Sequence, residues 1–200
     1  MKALSIHYDW LQLIEVSGPF LSATVLNEAF PDGLDGFDKR TKRDLSRYYS
    51  EWVDAVETKH PRLEELHEAW CEAVLREGLG FQPGDLTGGR GAWRQTGQAP
   101  QNAEFEVKGE GGIGKFAPDY WLKGLDGKPA LFIKILPADV KPDARDVADD
   151  WKDSVIEKMT RLCRAHEVRI GLVTNGEKWV LVNAATGGTL SGTATWYARL

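Results

Sequence analysis

The tightest constraint on the fold lies in residues 117–135, Ala-Pro-Asp-Tyr-Trp-Leu-Lys-Gly-Leu-Asp-Gly-Lys-Pro-Ala-Leu-Phe-Ile-Lys-Ile. Two apolar runs flank Asp126-Gly127, a dipeptide that supplies positive φ in a tight turn, so the segment reads as a strand, a turn and a strand. Asp119 opens the first strand directly after Pro118. Lys134 stands near the end of the second, where Leu131, Ile133 and Ile135 alternate with Phe132 and Lys134. An antiparallel hairpin brings these two ends together, so an aspartate and a lysine are expected to meet as an ion pair.

A second hairpin follows the same logic. Val168 to Thr174 and Lys178 to Asn183 flank Asn175-Gly176, the strongest short hairpin signal a sequence offers. Between the hairpins, Asp143 to His166 carries Val147, Trp151, Val155, Met159 and Leu162 at three- and four-residue spacing, which predicts one amphipathic helix. Hairpin, crossover helix and hairpin imply an α/β chain with a mixed sheet, the helix covering one face through Trp151, Val155 and Met159. Strands are expected near 119–124, 130–136, 168–174 and 178–184.

Residues 1–80 read differently. Tyr8 to Glu15 and Pro19 to Phe30 suggest two short helices, and Lys39 to Lys59 a longer one with Leu45, Tyr48, Tyr49, Trp52, Val53 and Val56 on one face. A fourth runs from Pro61 to about Gly78, with Leu63, Leu66, Trp70, Val74 and Leu75 inward and Glu64, Glu65, Glu68 and Glu72 outward. No segment alternates, so this part is expected to be an all-helical layer. The basic run Lys39-Arg-Thr-Lys-Arg43 is flanked by Asp35, Asp38 and Asp44, which favours a solvated helix end over the alternative of a phosphate-binding patch.

Residues 81–117 hold many glycines and few aliphatics, the composition of a linker or long loop. Arg90, Trp93, Arg94, Lys108 and Lys115 set cations beside an aromatic there, a pattern able to follow a nucleic-acid backbone and equally that of an ordinary surface loop. Phe105-Glu106-Val107-Lys108 spells an acid-x-lysine strand end. It precedes the Pro-Asp element, and is set aside for that reason.

Composition narrows the class. The net charge of −5 is uneven: residues 1–80 hold 9 Lys and Arg against 15 Asp and Glu, so phosphate contacts would fall to the C-terminal part. No run approaches the ~18 apolar residues of a membrane span, and the N-terminus lacks a basic region followed by an apolar one, which predicts a cytoplasmic protein without membrane partners. Cys71 and Cys163 stand far apart, with no CxxC and no Cys/His cluster, as expected of buried free thiols.

Pro118-Asp119-Tyr-Trp-Leu, the Asp126-Gly127-Lys-Pro turn, Leu-Phe-Ile-Lys-Ile and Gly171-Leu-Val-Thr-Asn-Gly-Glu-Lys-Trp-Val-Leu-Val together resemble the PD-(D/E)xK-like N-terminal domain of restriction enzymes. That domain occurs in type I restriction subunits, in type IIG restriction-modification methyltransferases and in DISARM-like defence methyltransferases, and the likeness covers about residues 100–197. It implies a PD-(D/E)xK nuclease-like sheet in residues 118–200 behind an N-terminal helical layer. It also implies that Asp119 is the metal-binding aspartate and Lys134 the lysine that orients water. Phe132 stands where the second acid belongs. One aspartate is a poor magnesium site, so the resemblance implies a degenerate domain unless Glu106, Asp153 or Glu157 supplies a migrated carboxylate. The helix before the hairpin often adds a ligand in such nucleases, which brings in Glu68 and Glu72. No Asn/Asp-Pro-Pro-Tyr/Phe motif and no glycine-rich S-adenosylmethionine loop is present, so the resemblance further implies that the chain is the N-terminal part of a longer protein whose remainder would bind S-adenosylmethionine.

Three functions follow as alternatives. The first is a non-catalytic module of a restriction-modification or phage-defence adenine DNA methyltransferase, contacting DNA or other defence subunits. The second is an active magnesium endonuclease with a migrated acid, and the third a structural docking domain. For the helical layer the expectation is direct: Trp52→Ala or Trp70→Ala should cost about 3–5 kcal/mol, and Glu64→Ala or Glu65→Ala little. Equal melting temperatures for the tryptophan and glutamate variants would refute the inward face.

Overall fold

The computed structural model describes residues 8–18, 20, 22–82, 84–88, 105–145, 151–185 and 190–199. Its centre is a seven-stranded sheet in the order β1-β9-β8-β7-β6-β5-β2. The strands are β1 (Glu15–Ser17), β2 (Leu86–Gly88), β5 (Tyr120–Lys123), β6 (Pro129–Ile135), β7 (Ile170–Thr174), β8 (Lys178–Asn183) and β9 (Gly192–Tyr197). Only β6 and β7 pair in parallel; every other neighbour is antiparallel. A separate ribbon of β3 (Val107–Lys108) and β4 (Lys115–Phe116) lies outside the sheet. The helices are α1 (Tyr8–Leu11), α2 (Ala23–Ala29), α3 (Lys39–Thr58), α4 (Leu63–Ala73) and α5 (Val155–Ala165), and α4 runs on into a π-helical turn over Val74–Gly78. The fold is thus mixed α/β with a mostly antiparallel sheet.

Strand alternation gives the sheet two buried faces. Tyr120, Ile133, Leu172 and Trp179 point to one side and pack with Trp52, Trp70, Cys71 and Leu75 of the α3–α4 layer. Trp121, Phe132, Val173, Val180 and Val182 point to the other and pack with Met159, Leu162 and Cys163 of α5 and with Phe116 and Trp151. Helix α5 comes close because β7 has Gly171 beneath it, where a Cβ would stand 2.6 Å from Met159 Cγ. The four strands and the sheet-covering helix expected from the hairpins are therefore present, within a residue or two at their ends.

Several boundaries differ from the sequence reading. The crossover helix does not start at Asp143. It starts at Val155, where Ser154 Oγ accepts from Glu157 N and the Glu157 carboxylate accepts from Ser154 N, a capping box that fixes the first turn. Trp151 precedes the helix yet is buried in the same core, and Val147 lies outside the described residues. The Asp126-Gly127 turn is a wider loop over Gly124–Lys128, closed by Gly124 N donating to Lys128 O at 2.7 Å. Residues 1–78 are not all helical, because Glu15–Ser17 adds an edge strand to β9. Within residues 81–117, the described parts belong to the sheet domain: Leu86–Gly88 forms the opposite edge strand on β5, and Phe105 with the β3–β4 ribbon packs against the sheet and α5. The division expected at residue 118 therefore cuts through the sheet. Among the described residues no helix is long and apolar enough to cross a membrane.

The Asn175-Gly176 turn joins both layers. Gly176 has φ +89°, and a Cβ there would meet Trp52 Cζ2 at 2.8 Å and His67 Cε1 at 3.0 Å. Gly176→Ala combines left-handed strain with a clash against rigid rings, so it should cost about 2–4 kcal/mol in urea denaturation. Gly36→Ala, with nothing within 4 Å, should stay within about 0.5 kcal/mol of the parent; equal losses would refute this packing.

Candidate functional site

The β5–β6 hairpin places Asp119 one residue before the Tyr120↔Ile133 pair, opposite Lys134. Asp119 N donates to Ile133 O at 2.8 Å, which holds the aspartate in register. Lys134 Nζ then donates to Asp119 Oδ1 at 3.1 Å, and Ile135 N donates to Asp119 Oδ2 at 2.8 Å. Both side chains are largely buried, 16% and 25% exposed for the aspartate and lysine, so the pair is less screened than a surface one. The Lys134 ammonium also lies 5.6 Å from the centre of the Phe116 ring. The two residues that carry the nuclease likeness thus meet, as the hairpin predicts.

Phe132 does not reach this pair as a vacant substitute. Fully buried, its ring packs 5.3 Å from Phe105 and 6.0 Å from His166, centre to centre. The other carboxylates considered are committed elsewhere. Asp153 accepts from Trp151 Nε1 at 2.9 Å and pairs with Arg161 at 3.0 Å. Glu157 is the capping-box acid, and its bonds from Ser154 backbone and hydroxyl hold its carboxyl below the usual range. Glu106 pairs with Lys115 at 3.2 Å in the β3–β4 ribbon. Glu68 and Glu72 sit on α4, which packs on the sheet face opposite Phe132 and Trp121.

A divalent magnesium ion needs about six oxygen ligands, with one or two carboxylates free to bind it. Here a single carboxylate has one oxygen on an ammonium and the other on a backbone amide. Among the described residues no three His, Cys, Asp or Glu side chains gather to hold a metal ion. This donor set does not fit magnesium. Of the cation candidates, Lys108 and Lys115 are exposed on the ribbon, while Arg90 and Arg94, with Trp93, lie outside the described residues.

A polar network that no sequence pattern points to lies on the other face. Trp52 Nε1 donates to His67 Nδ1 at 3.0 Å, so the proton of the neutral ring is on Nε2, which donates to Leu136 O at 2.8 Å. Cys71 Sγ lies 3.9 Å from that nitrogen. Burial raises the Cys71 thiol and pushes the Cys163 thiol up to about 12, so neither offers a thiolate nucleophile at neutral pH. The cluster is structural. Trp52 and Trp70 were legible as members of two apolar stripes, and His67 was not singled out.

Burial lowers the pKa of His67 below its ordinary value. The unfolded ring titrates near about 6.5, so as pH falls below that value the unfolded state takes up a proton that the folded state resists. Stability contributed by the neutral ring is complete above that pH and is lost as pH drops toward the folded pKa. Urea midpoints measured from about pH 7.5 down to about 5.5 should fall for the parent and fall less for His67→Gln. Identical pH slopes would refute the assignment.

No protein-family model matches this chain, and neither a curated protein nor a solved structure does; the likeness to restriction-enzyme domains rests on the residues quoted above.

Proposed function

We propose that the chain is a nuclease-like module that does not cleave, belonging to a restriction-modification or phage-defence adenine DNA methyltransferase and serving it by contact with DNA or a partner subunit. The observation that carries this reading is the closed Asp119–Lys134 pair. A working metal nuclease keeps carboxylates that repel one another until a cation joins them, and the lysine beside them is free to orient water. In this chain the lysine is bound to the aspartate, the second acid is a core phenylalanine, and Glu106, Asp153 and Glu157 are held in ion pairs and a helix cap. Contact with a partner has support of its own. Exposed large apolar side chains gather in one stretch of sequence, Leu13, Val16, Val25, Phe30, Leu34 and Phe37.

Two measurements test the reading. Calorimetry with magnesium or manganese should give no saturable heat, and plasmid DNA incubated with the purified chain and either ion should stay supercoiled. Nicking that depends on the metal and disappears in Asp119→Ala would overturn the proposal and establish the chain as an endonuclease with a migrated acid.

A further inference from the structure

The β3–β4 ribbon sets two lysines face to face. Lys108 and Lys115 are direct cross-strand partners, and both are exposed. Like charges in that relation repel and destabilise a strand pair, so the arrangement works against the ribbon unless an anion joins it. Glu106 answers only half of it, pairing with Lys115 at 3.2 Å. Lys108 has no side-chain partner among the described residues.

The strands are joined through Gly109–Gly114, with a short 3-10 turn over Glu110–Gly112. Gly111, Gly112 and Gly114 have positive φ, and a Cβ added to Gly112 would meet nothing within 4 Å. The tip therefore presents bare backbone at Gly112, beside the exposed Glu110 carboxylate, which lies 3.7 Å from Arg161. The ribbon's aromatic side chains turn inward. Phe116 is buried against Trp151, and Phe105 packs on Trp121, Phe132 and His166.

We infer that this ribbon is a contact for the phosphate backbone of duplex DNA, with Lys108 and Lys115 each engaging a phosphate. It rests on the DNA-contact part of the function proposed above and makes it specific. A two-stranded ribbon matches the width of the B-form major groove, and paired lysines supply a charge contact that does not read sequence. Single strands are bound by stacking on outward aromatics, and the ribbon turns its aromatics inward. A lipid surface would call for an apolar wedge, and the tip offers Ile113 alone.

The test is fluorescence anisotropy of a labelled DNA duplex with the whole chain, repeated across salt concentrations. For the parent, affinity should fall as salt rises. In the Lys108→Gln/Lys115→Gln double variant the slope of log affinity against log salt should shrink by about 2, and binding at low salt should weaken on every duplex sequence alike. The variant removes a like-charged pair together with the exposed Glu106–Lys115 ion pair, two small and opposed effects, so the melting temperature should stay close to that of the parent. Lys123→Gln/Lys128→Gln, at the exposed end of β5 and on the loop that follows it, should keep the parental slope. A parent that binds duplex while the ribbon variant keeps its full slope would refute the ribbon and leave the DNA-contact reading standing. A parent that binds no duplex, or only single strands or anionic vesicles, would overturn both.

Discussion

The carbonyl of Gly176 holds the two halves of the molecule together. It accepts from Trp70 Nε1 at 2.7 Å and from Trp179 Nε1 at 3.0 Å, so one indole from α4 and one from β8 use both of its lone pairs. The neighbouring Asn175 side chain donates to Val140 O at 3.0 Å and accepts from Lys178 N at 2.8 Å. Through His67, the same region reaches Leu136 O at the exit of β6. Each such bond is worth only about 1 kcal/mol net, but an unmet buried donor costs about 1–3. The turn, the α3–α4 layer and the ends of the two parallel strands therefore form as one unit.

That unit explains why the sheet has two distinct faces and what each can carry. The parallel β6–β7 pair requires a crossover, and α5 with its capping box supplies it, closing the face that holds Asp119 and Phe132. An acid at position 132 would lie on this face beside Phe105, Trp121 and His166, where no water reaches. Burying a carboxylate without a partner is far costlier than burying a phenyl ring. The phenylalanine is thus part of the core of this chain, and the pair beside it is what remains polar on a face otherwise given to packing.

What could be read from the sequence followed the range of the interactions involved. Asp126-Gly127 and Asn175-Gly176 are local instructions, and the strands around them appeared close to where they were expected. The Asp119–Lys134 pair was legible too, because hairpin register alone opposes the two residues. Strands β1 and β2 were not, since three-residue edges are strands only by virtue of the neighbour that pairs with them, β9 and β5. Strand β9 was passed over for a related reason: Thr193 to Tyr197 gains its meaning from β8. The start of α5 was misplaced because Val147, Trp151 and Val155 keep a four-residue spacing across the cap. Ser154-Val-Ile-Glu157, a capping-box pattern, was the signal that outweighs it. The His67 network was hidden for want of any local pattern that joins positions 52, 67 and 136.

The placement of Asp119 needs no catalytic explanation. Its own strand β5 begins at Tyr120, so at Ile135 the partner strand β6 has run past the ladder and its amide needs an acceptor. Asp119 Oδ2 supplies that acceptor at 2.8 Å, while Oδ1 neutralises Lys134, whose stem is packed near Phe116. On the far side of β6, Leu136 N donates to Thr174 O at 2.7 Å. A carboxylate here closes the ladder where β5 stops, and it keeps a lysine neutralised on a buried face. A neutral residue would leave both groups without that partner, and leaving a largely buried ammonium unpaired costs more than leaving an exposed one. The Asp119–Lys134 pair is sufficient to account for itself as the terminal clasp of a hairpin.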